Sequence, residues 1–172
     1  MKFSTSLITL LFGTLVAADG ISFFSNGQKV LEEKGGPVAG DNPLTYCKKD
    51  HSSDILTLDH VNLDPNPPVA GQTLTIEAVG TLTQTLEKGA YVNLQVKYGL
   101  IRLVNMRQDL CDQVSNVDLD CPIDEGKITI VKDVQLPKEI PPGTYTVFAD
   151  AYTKDGKDKI ICLEATVKFG GS

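Results

Sequence analysis

Four cysteines, two histidines and scattered carboxylates are the residues of this 172-residue chain whose types could do covalent, metal or acid–base chemistry. The cysteines stand at Cys47, Cys111, Cys121 and Cys162. No Cys-x-x-Cys spacing occurs, so thioredoxin-like redox chemistry and zinc knuckles have little basis. An even count in an exported chain reads instead as a disulfide framework. Four cysteines allow three connectivities. The nested one, Cys47–Cys162 with Cys111–Cys121, ties the ends of one domain together and closes one local loop, and it is the pairing expected. The histidines are His51 and His60. His60 follows Asp59 in a strand-like run, which points the two side chains to opposite faces, and both histidines read as surface residues. There is no Gly-x-Ser-x-Gly elbow and no His-Glu-x-x-His, and full pairing leaves no thiol as a nucleophile. Asp54, Asp59, Asp64, Asp118, Asp120 and Asp124 are too sparse for a calcium loop. No enzyme activity, metal or cofactor is expected.

The oxidising compartment is implied by the first residues. Met1-Lys2 gives a positive start, 3–18 is apolar and uncharged, and Val16-Ala17-Ala18 is a small-residue cleavage site. The stretch is too short and too rich in small residues for a good transmembrane helix. Residues 1–18 therefore read as a signal peptide, leading to secretion or to the vacuole lumen. Residues 19–40 lack strand periodicity and hold the turn signals Asn26-Gly27 and Gly35-Gly36-Pro37. They read as a flexible arm or as a propeptide removed near the Gly/Pro joint. That places the domain at 41–172, long enough to bury a sizeable core. With 16 basic and 22 acidic residues the chain carries −6, and −7 once Lys2 leaves with the leader. No basic stripe with interleaved aromatics is present, which argues against nucleic acid as a partner.

The elements that must position any site are strands. Runs at 55–64, 72–79, 90–98, 100–107, 127–136, 143–153 and 160–169 are separated by breakers such as Pro65-Asn66-Pro67-Pro68, Gly99 and Asp155-Gly156. The cleanest alternation sets Val92, Leu94, Val96 and Tyr98 on one face, against Tyr91, Asn93, Gln95 and Lys97 on the other. Tyr145, Val147, Ala149 and Ala151 form a second inner face. Period-two patterning with regular turns argues for an all-β, immunoglobulin-like, seven-stranded antiparallel β-sandwich.

Three runs carry a family resemblance. They are Asn62-Leu63-Asp64-Pro65-Asn66-Pro67-Pro68 with Gly71-Gln72-Thr73-Leu74, then 90–99, then Cys121-Pro122-Ile123 with 136–145. Together they resemble the fungal phosphatidylglycerol/phosphatidylinositol transfer proteins of the ML (lipid-recognition) family, relatives of the lysosomal sterol carrier lost in Niemann–Pick type C disease. The likeness covers essentially all of 41–170. It implies a sandwich whose sheets splay around a lipid tail or sterol. One departure is that the animal sterol carriers have an extra cysteine pair where this chain has Pro65-Asn66-Pro67-Pro68. Composition alone leaves two outcomes open. Val, Ile, Leu and Ala between sheets, with no Trp in the chain, can pack solidly or can leave an apolar cavity.

On the resemblance, the lipid cavity is expected to draw on Val92, Leu94, Val96, Tyr98, Leu103, Val104, Met106, Ile140, Tyr145 and Val147. The run 100–107 does not alternate strictly. It reads as a strand buried on both sides or bent by a bulge, or as a cavity rim with Met106 as an adaptable wall. Ile140-Pro141-Pro142 is the second rim. Arg102, Arg107 and Lys138 are the candidate headgroup residues at the mouth, since phosphates favour guanidinium and ammonium groups. The alternative for all three is ordinary solvated charge. The function expected is a monomeric, soluble carrier of phosphatidylglycerol, phosphatidylinositol or sterol that makes transient membrane contact. The alternative is a secreted immunoglobulin-like interaction module with a solid core.

Overall fold

Eight strands and one short helix follow one another among the residues that the computed structural model describes, 34–114 and 119–170. All of these belong to one compact unit, Glu32–Ser172. The leader and the arm as far as residue 33 lie outside the described residues. The elements are β1 (Leu44–Tyr46), β2 (Leu56–Asp64), β3 (Thr73–Leu82), β4 (Tyr91–Tyr98), β5 (Ile101–Asp109), α1 (Leu110–Val114), β6 (Gly126–Gln135), β7 (Gly143–Tyr152) and β8 (Lys159–Phe169). Seven of the strands are those expected. β1 is additional: it is only three residues long, too short to show alternation, and exists because it pairs with β8, Thr45 opposite Glu164.

The strands form two antiparallel sheets, ordered β1-β8-β7-β4-β5 and β2-β3-β6. Proline placement limits them. Pro65, Pro67 and Pro68 supply no backbone N–H, so the ladder of β2 cannot continue past Asp64. β3 runs three residues beyond its expected stop at Val79, because Gly80, Thr81 and Leu82 still pair with β6. β4 and β5 are joined at Gly99-Leu100, where Gly99 has φ 54, a conformation that suits glycine in a tight hairpin.

The buried core cluster lies toward one end of the sandwich. Ile55, Leu82, Leu86, Ala90, Ile123, Ala151, Ile160 and Ile161 pack as one buried cluster. They lie where β3 ends, β4 begins and β7 ends. Val92, Leu110 and Val114 pack against this cluster. Helix α1 closes the side of that end. Asp109 caps it, its Oδ1 accepting from the Cys111 amide at 2.8 Å and the Asp112 amide at 3.3 Å. Lys132 Nζ of β6 reaches Gln113 Oε1 at 3.5 Å, linking helix to sheet.

The disulfides are Cys47–Cys162 and Cys111–Cys121, spanning 115 and 10 residues. Chain-entropy reasoning gives such closures about 5 and about 3 kcal/mol. Residues 35–41 are stitched between β1 and β2. The Gly35 amide donates to the Tyr46 carbonyl at 3.0 Å, and the Val61 amide donates to the Ala39 carbonyl at 2.9 Å. Val38 is 4% exposed. Among the described elements, the backbones of the two sheets approach closely only where β2 meets β8. Stacked sheets ordinarily lie about 10 Å apart; here the space between them opens into a cleft at the end away from the core cluster.

Candidate functional site

The parted end holds an apolar cleft of about 530 Å³, within the usual range for small-molecule sites of about 300–1,000 Å³. The five-stranded sheet supplies one wall: Val96 and Tyr98 from β4, Leu103 from β5, Tyr145 and Val147 from β7, and Val167 and Phe169 from β8. Register explains why they converge. Val96 lies opposite Val147, Tyr98 opposite Tyr145 and Tyr145 opposite Val167, so strand alternation puts them on one face. Leu74 of β3 and Pro68 form the facing wall, and Leu136, Glu139, Ile140 and Pro141 form the rim after β6.

Three rings line the floor. The centroids of Tyr98 and Tyr145 are 5.1 Å apart, and Phe169 meets Tyr145 edge-on at 5.5 Å, both favoured aromatic arrangements. The Tyr98 ring lies so close over Gly143 that a Cβ there would overlap it. Each tyrosine also fastens the rim. Tyr98 donates its hydroxyl proton to the Pro142 carbonyl at 2.9 Å, and Tyr145 donates to the Pro141 carbonyl at 2.9 Å. Loss of water contact pushes the Tyr145 phenol up from its ordinary value, and the neighbouring Tyr98 phenol adds to this. Among the described residues Glu139 is the one charged residue in the lining. With both phenols committed to carbonyls, the cleft offers an acyl chain apolar contact worth about 0.8 kcal/mol per methylene.

Six of the ten expected cavity residues line this cleft: Val96, Tyr98, Leu103, Ile140, Tyr145 and Val147. The other four do not. Val92 shares their face but sits at the filled end, against the core cluster. Leu94, opposite Met106 and Ala149, falls between cluster and cleft. Val104 and Met106 lie on β5, the edge strand, and Met106 is 45% exposed. The cleft occupies only part of the inner face, so sharing that face is not enough.

None of the three expected mouth cations lines the cleft. Arg107 is on the outer face, its guanidinium 3.8 Å from the centre of the Tyr91 ring and its Nε donating to Asn93 Oδ1 at 3.3 Å. Arg102 lies opposite Lys97, also outward. Lys138 packs beside Gly71. The cause for the arginines is a bulge. The register of β4 and β5 shifts between Val96 and Lys97, leaving Leu103 unpaired. An inserted residue reverses the alternation, so Arg102 and Arg107, five positions apart, share the outer face while Leu103 turns inward.

Sequence reasoning named Pro141 only as part of the Ile140-Pro141-Pro142 rim, and missed Pro68, Leu74, Leu136, Glu139, Val167 and Phe169 as lining. Alternation in β3 and β8 was a usable signal for Leu74, Val167 and Phe169. Glu139 carries none, because its loop is held by the tethers from Tyr98 and Tyr145 to Pro142 and Pro141; Pro68 stands in a different loop, between β2 and β3.

A sandwich solid at one end and parted around an apolar cleft at the other defines a β-sandwich for apolar ligands. Residues 41–169 match the family model described as ML domain (E1_DerP2_DerF2), and the chain belongs to the ML domain family. It is 54% identical over 170 residues to a phosphatidylglycerol/phosphatidylinositol transfer protein of Pyricularia oryzae, covering 98% of this chain and 93% of that one. It is 51% identical over 162 residues to the protein of the same name in Aspergillus fumigatus, covering 94% and 91%. Among solved structures, chicken MD-1 complexed with lipid IVa aligns with TM-score 0.52 at 20% identity, over 79% of this chain and 98% of that one. A Niemann–Pick type C2 protein from the Japanese carpenter ant gives 0.51 at 13%, over 70% and 97%. These two likenesses are of fold.

Proposed function

We propose that this protein is a soluble, monomeric lipid carrier that lifts phosphatidylglycerol or phosphatidylinositol from one membrane and delivers it to another. The observation that carries the reading is the apolar cleft at the parted end of the sandwich. The names of the relatives at 54% and 51% identity supply the cargo class. The acyl tail enters between Val96, Val147 and Leu74, while the headgroup stays at the rim beside Glu139, whose carboxylate accepts hydrogen bonds from glycerol or inositol hydroxyls. Transfer makes and breaks no covalent bond, so the reading requires no catalytic group and no cofactor. Membrane contact is transient.

The leader at 1–18 sends the chain into the secretory pathway, to the exterior or the vacuole lumen. The propeptide reading puts the cut near the Gly35-Gly36-Pro37 joint, where residues 35–41 are hydrogen-bonded to β1 and β2, so a cut on the leader side of Gly35 would leave them in place. The test is native mass spectrometry of protein purified from its host, with vesicle-to-vesicle transfer of fluorescent phosphatidylinositol, phosphatidylglycerol and a sterol analogue. Bound phospholipid and transfer that scales with protein concentration are expected. Bare protein, with exchange at the spontaneous rate for every lipid, would refute the carrier and favour a solid interaction module.

A further inference from the structure

Six large apolar side chains are exposed among the described residues; one is Val131 of β6, and the other five stand on or beside the cleft walls. Leu100 is 102% exposed, Ile101 63%, Leu103 55% and Met106 45%, and all four belong to the β4–β5 hairpin. Val69, 40% exposed, follows Pro68 of the cleft wall. A hairpin tip ordinarily takes polar turn residues beside its glycine. Here Gly99 is followed by a leucine in full contact with water. Exposed apolar side chains grouped on one hairpin point to an interaction site.

The charges around the patch differ from those of the whole chain. The net charge is −6, yet the tip is flanked by Lys97 and Arg102, which face each other across the hairpin. Lys138 stands on the neighbouring rim loop. Among the described residues none of these three cations has an ion-pair partner. Glu139 is the acid on that rim. Apolar residues at a tip with unpaired cations behind them match the chemistry of one surface: a bilayer with anionic headgroups.

We propose that the β4–β5 hairpin is the membrane-docking element, with Leu100 and Ile101 entering an anionic bilayer while Lys97 and Arg102 meet lipid phosphates. The position is apt. Leu103 and Tyr98 of the same hairpin line the cleft, and Tyr98 holds the rim loop at Pro142. Docking there sets the mouth on the bilayer and gives a tail an apolar path past Leu103 to Val96. This deepens the carrier reading and rests on it for the cargo, while the docking step is measured separately.

The experiment compares wild type, Leu100→Ser and the double variant Lys97→Gln/Arg102→Gln. Each is assayed for flotation with phosphatidylcholine vesicles, with and without phosphatidylglycerol, and for uptake of a short-chain fluorescent phospholipid in the absence of vesicles. Thermal unfolding confirms that Leu100→Ser, at a fully exposed turn position, folds normally. Wild type should bind the phosphatidylglycerol vesicles more tightly, and added salt should weaken that preference. Leu100→Ser should lose about ten-fold in vesicle binding with lipid uptake unchanged. The double variant should lose about five-fold per cation, roughly 25-fold in all, on anionic vesicles only. Unchanged flotation of both variants would overturn the docking assignment. A wild-type dimer that Leu100→Ser dissolves would also overturn it, because the tip would then be a self-association face. Failure of wild type to take up any lipid would refute the carrier reading instead.

Discussion

Val96→Phe separates a cleft from a packed interior. Val96 lies mid-strand on β4, flanked on the same face by Val147 of β7 and Val104 of β5, and it lines the cleft. The substitution adds four carbons. If they enter ligand space, they displace about as many methylenes of a bound tail. At about 0.8 kcal/mol each, that removes roughly 3 kcal/mol of lipid binding, on the order of a hundred-fold in Kd. Folding of the lipid-free protein should change by less than about 1 kcal/mol, since the ring fills unoccupied volume. In a close-packed interior the outcome inverts. Overpacking would cost about 1–3 kcal/mol of stability, a fall in Tm of several degrees for a domain of this size, with no lipid site to lose. The assay is thermal unfolding of delipidated protein alongside titration with a fluorescent phospholipid. Ordinary lipid affinity with clearly reduced Tm would refute the placement of Val96 in a cleft.

The two tyrosine tethers should be separable from the cleft itself. Tyr98→Phe and Tyr145→Phe each remove one hydrogen bond to the rim, worth about 1 kcal/mol, and should speed hydrogen exchange in the 139–144 loop; wild-type exchange in both variants would show that the tethers do not hold it. Asp54 offers a pH test: burial raises its pKa from 3.8, and Asp150 also raises it, against opposing effects of Lys159, His51 and Lys48. With the folded value above the unfolded one, folding favours the proton, so stability is lost as pH rises above 3.8 through the folded pKa and stays lower beyond it. Asp54→Asn should therefore raise Tm near neutral pH, modestly because solvent screens the site, and the gain should vanish well below 3.8. A Tm at neutral pH no higher than wild type would contradict this.

The strands were legible because each long run alternates. The pattern of β4 is readable residue by residue, and its inner face holds Val92, Val96 and Tyr98 as expected. Alternation gives a face but no position along it. It could not tell Val92, packed on the core cluster, from Val96, two residues on, in the cleft. That difference arises from which residues of the other sheet stand opposite, a non-local fact. Irregularity in 100–107 was visible; the strand is bulged rather than buried on both sides, and Met106, 45% exposed, is no wall of the cleft. The residue the bulge frees, Leu103, lines the cleft. What the irregularity hid was parity. Counting from an unbulged strand sends Arg102 and Arg107 to opposite faces, whereas both point outward. The Ile140-Pro141-Pro142 rim was legible, whereas Glu139 was illegible as lining because two tyrosines from distant strands fix its loop.

The uneven interior has an energetic logic. An enclosed dry void costs about 24 cal/mol per Å³. A sealed cavity of 530 Å³ would then cost on the order of 10 kcal/mol, comparable to the whole stability of an ordinary domain. A solid sandwich avoids that cost but binds no tail. This chain instead collects its buried cluster at one end, where both disulfides and α1 also lie, and leaves the other end open toward water between β5 and the rim. The opening spares the lipid-free fold the full cost of a sealed void. It also exposes apolar wall that a tail can cover, so a bound lipid stabilises the fold through its preference for the native state. Placing the staples at the filled end lets the strands at the other end part without unravelling the sandwich, and a carrier must hold its fold whether loaded or empty.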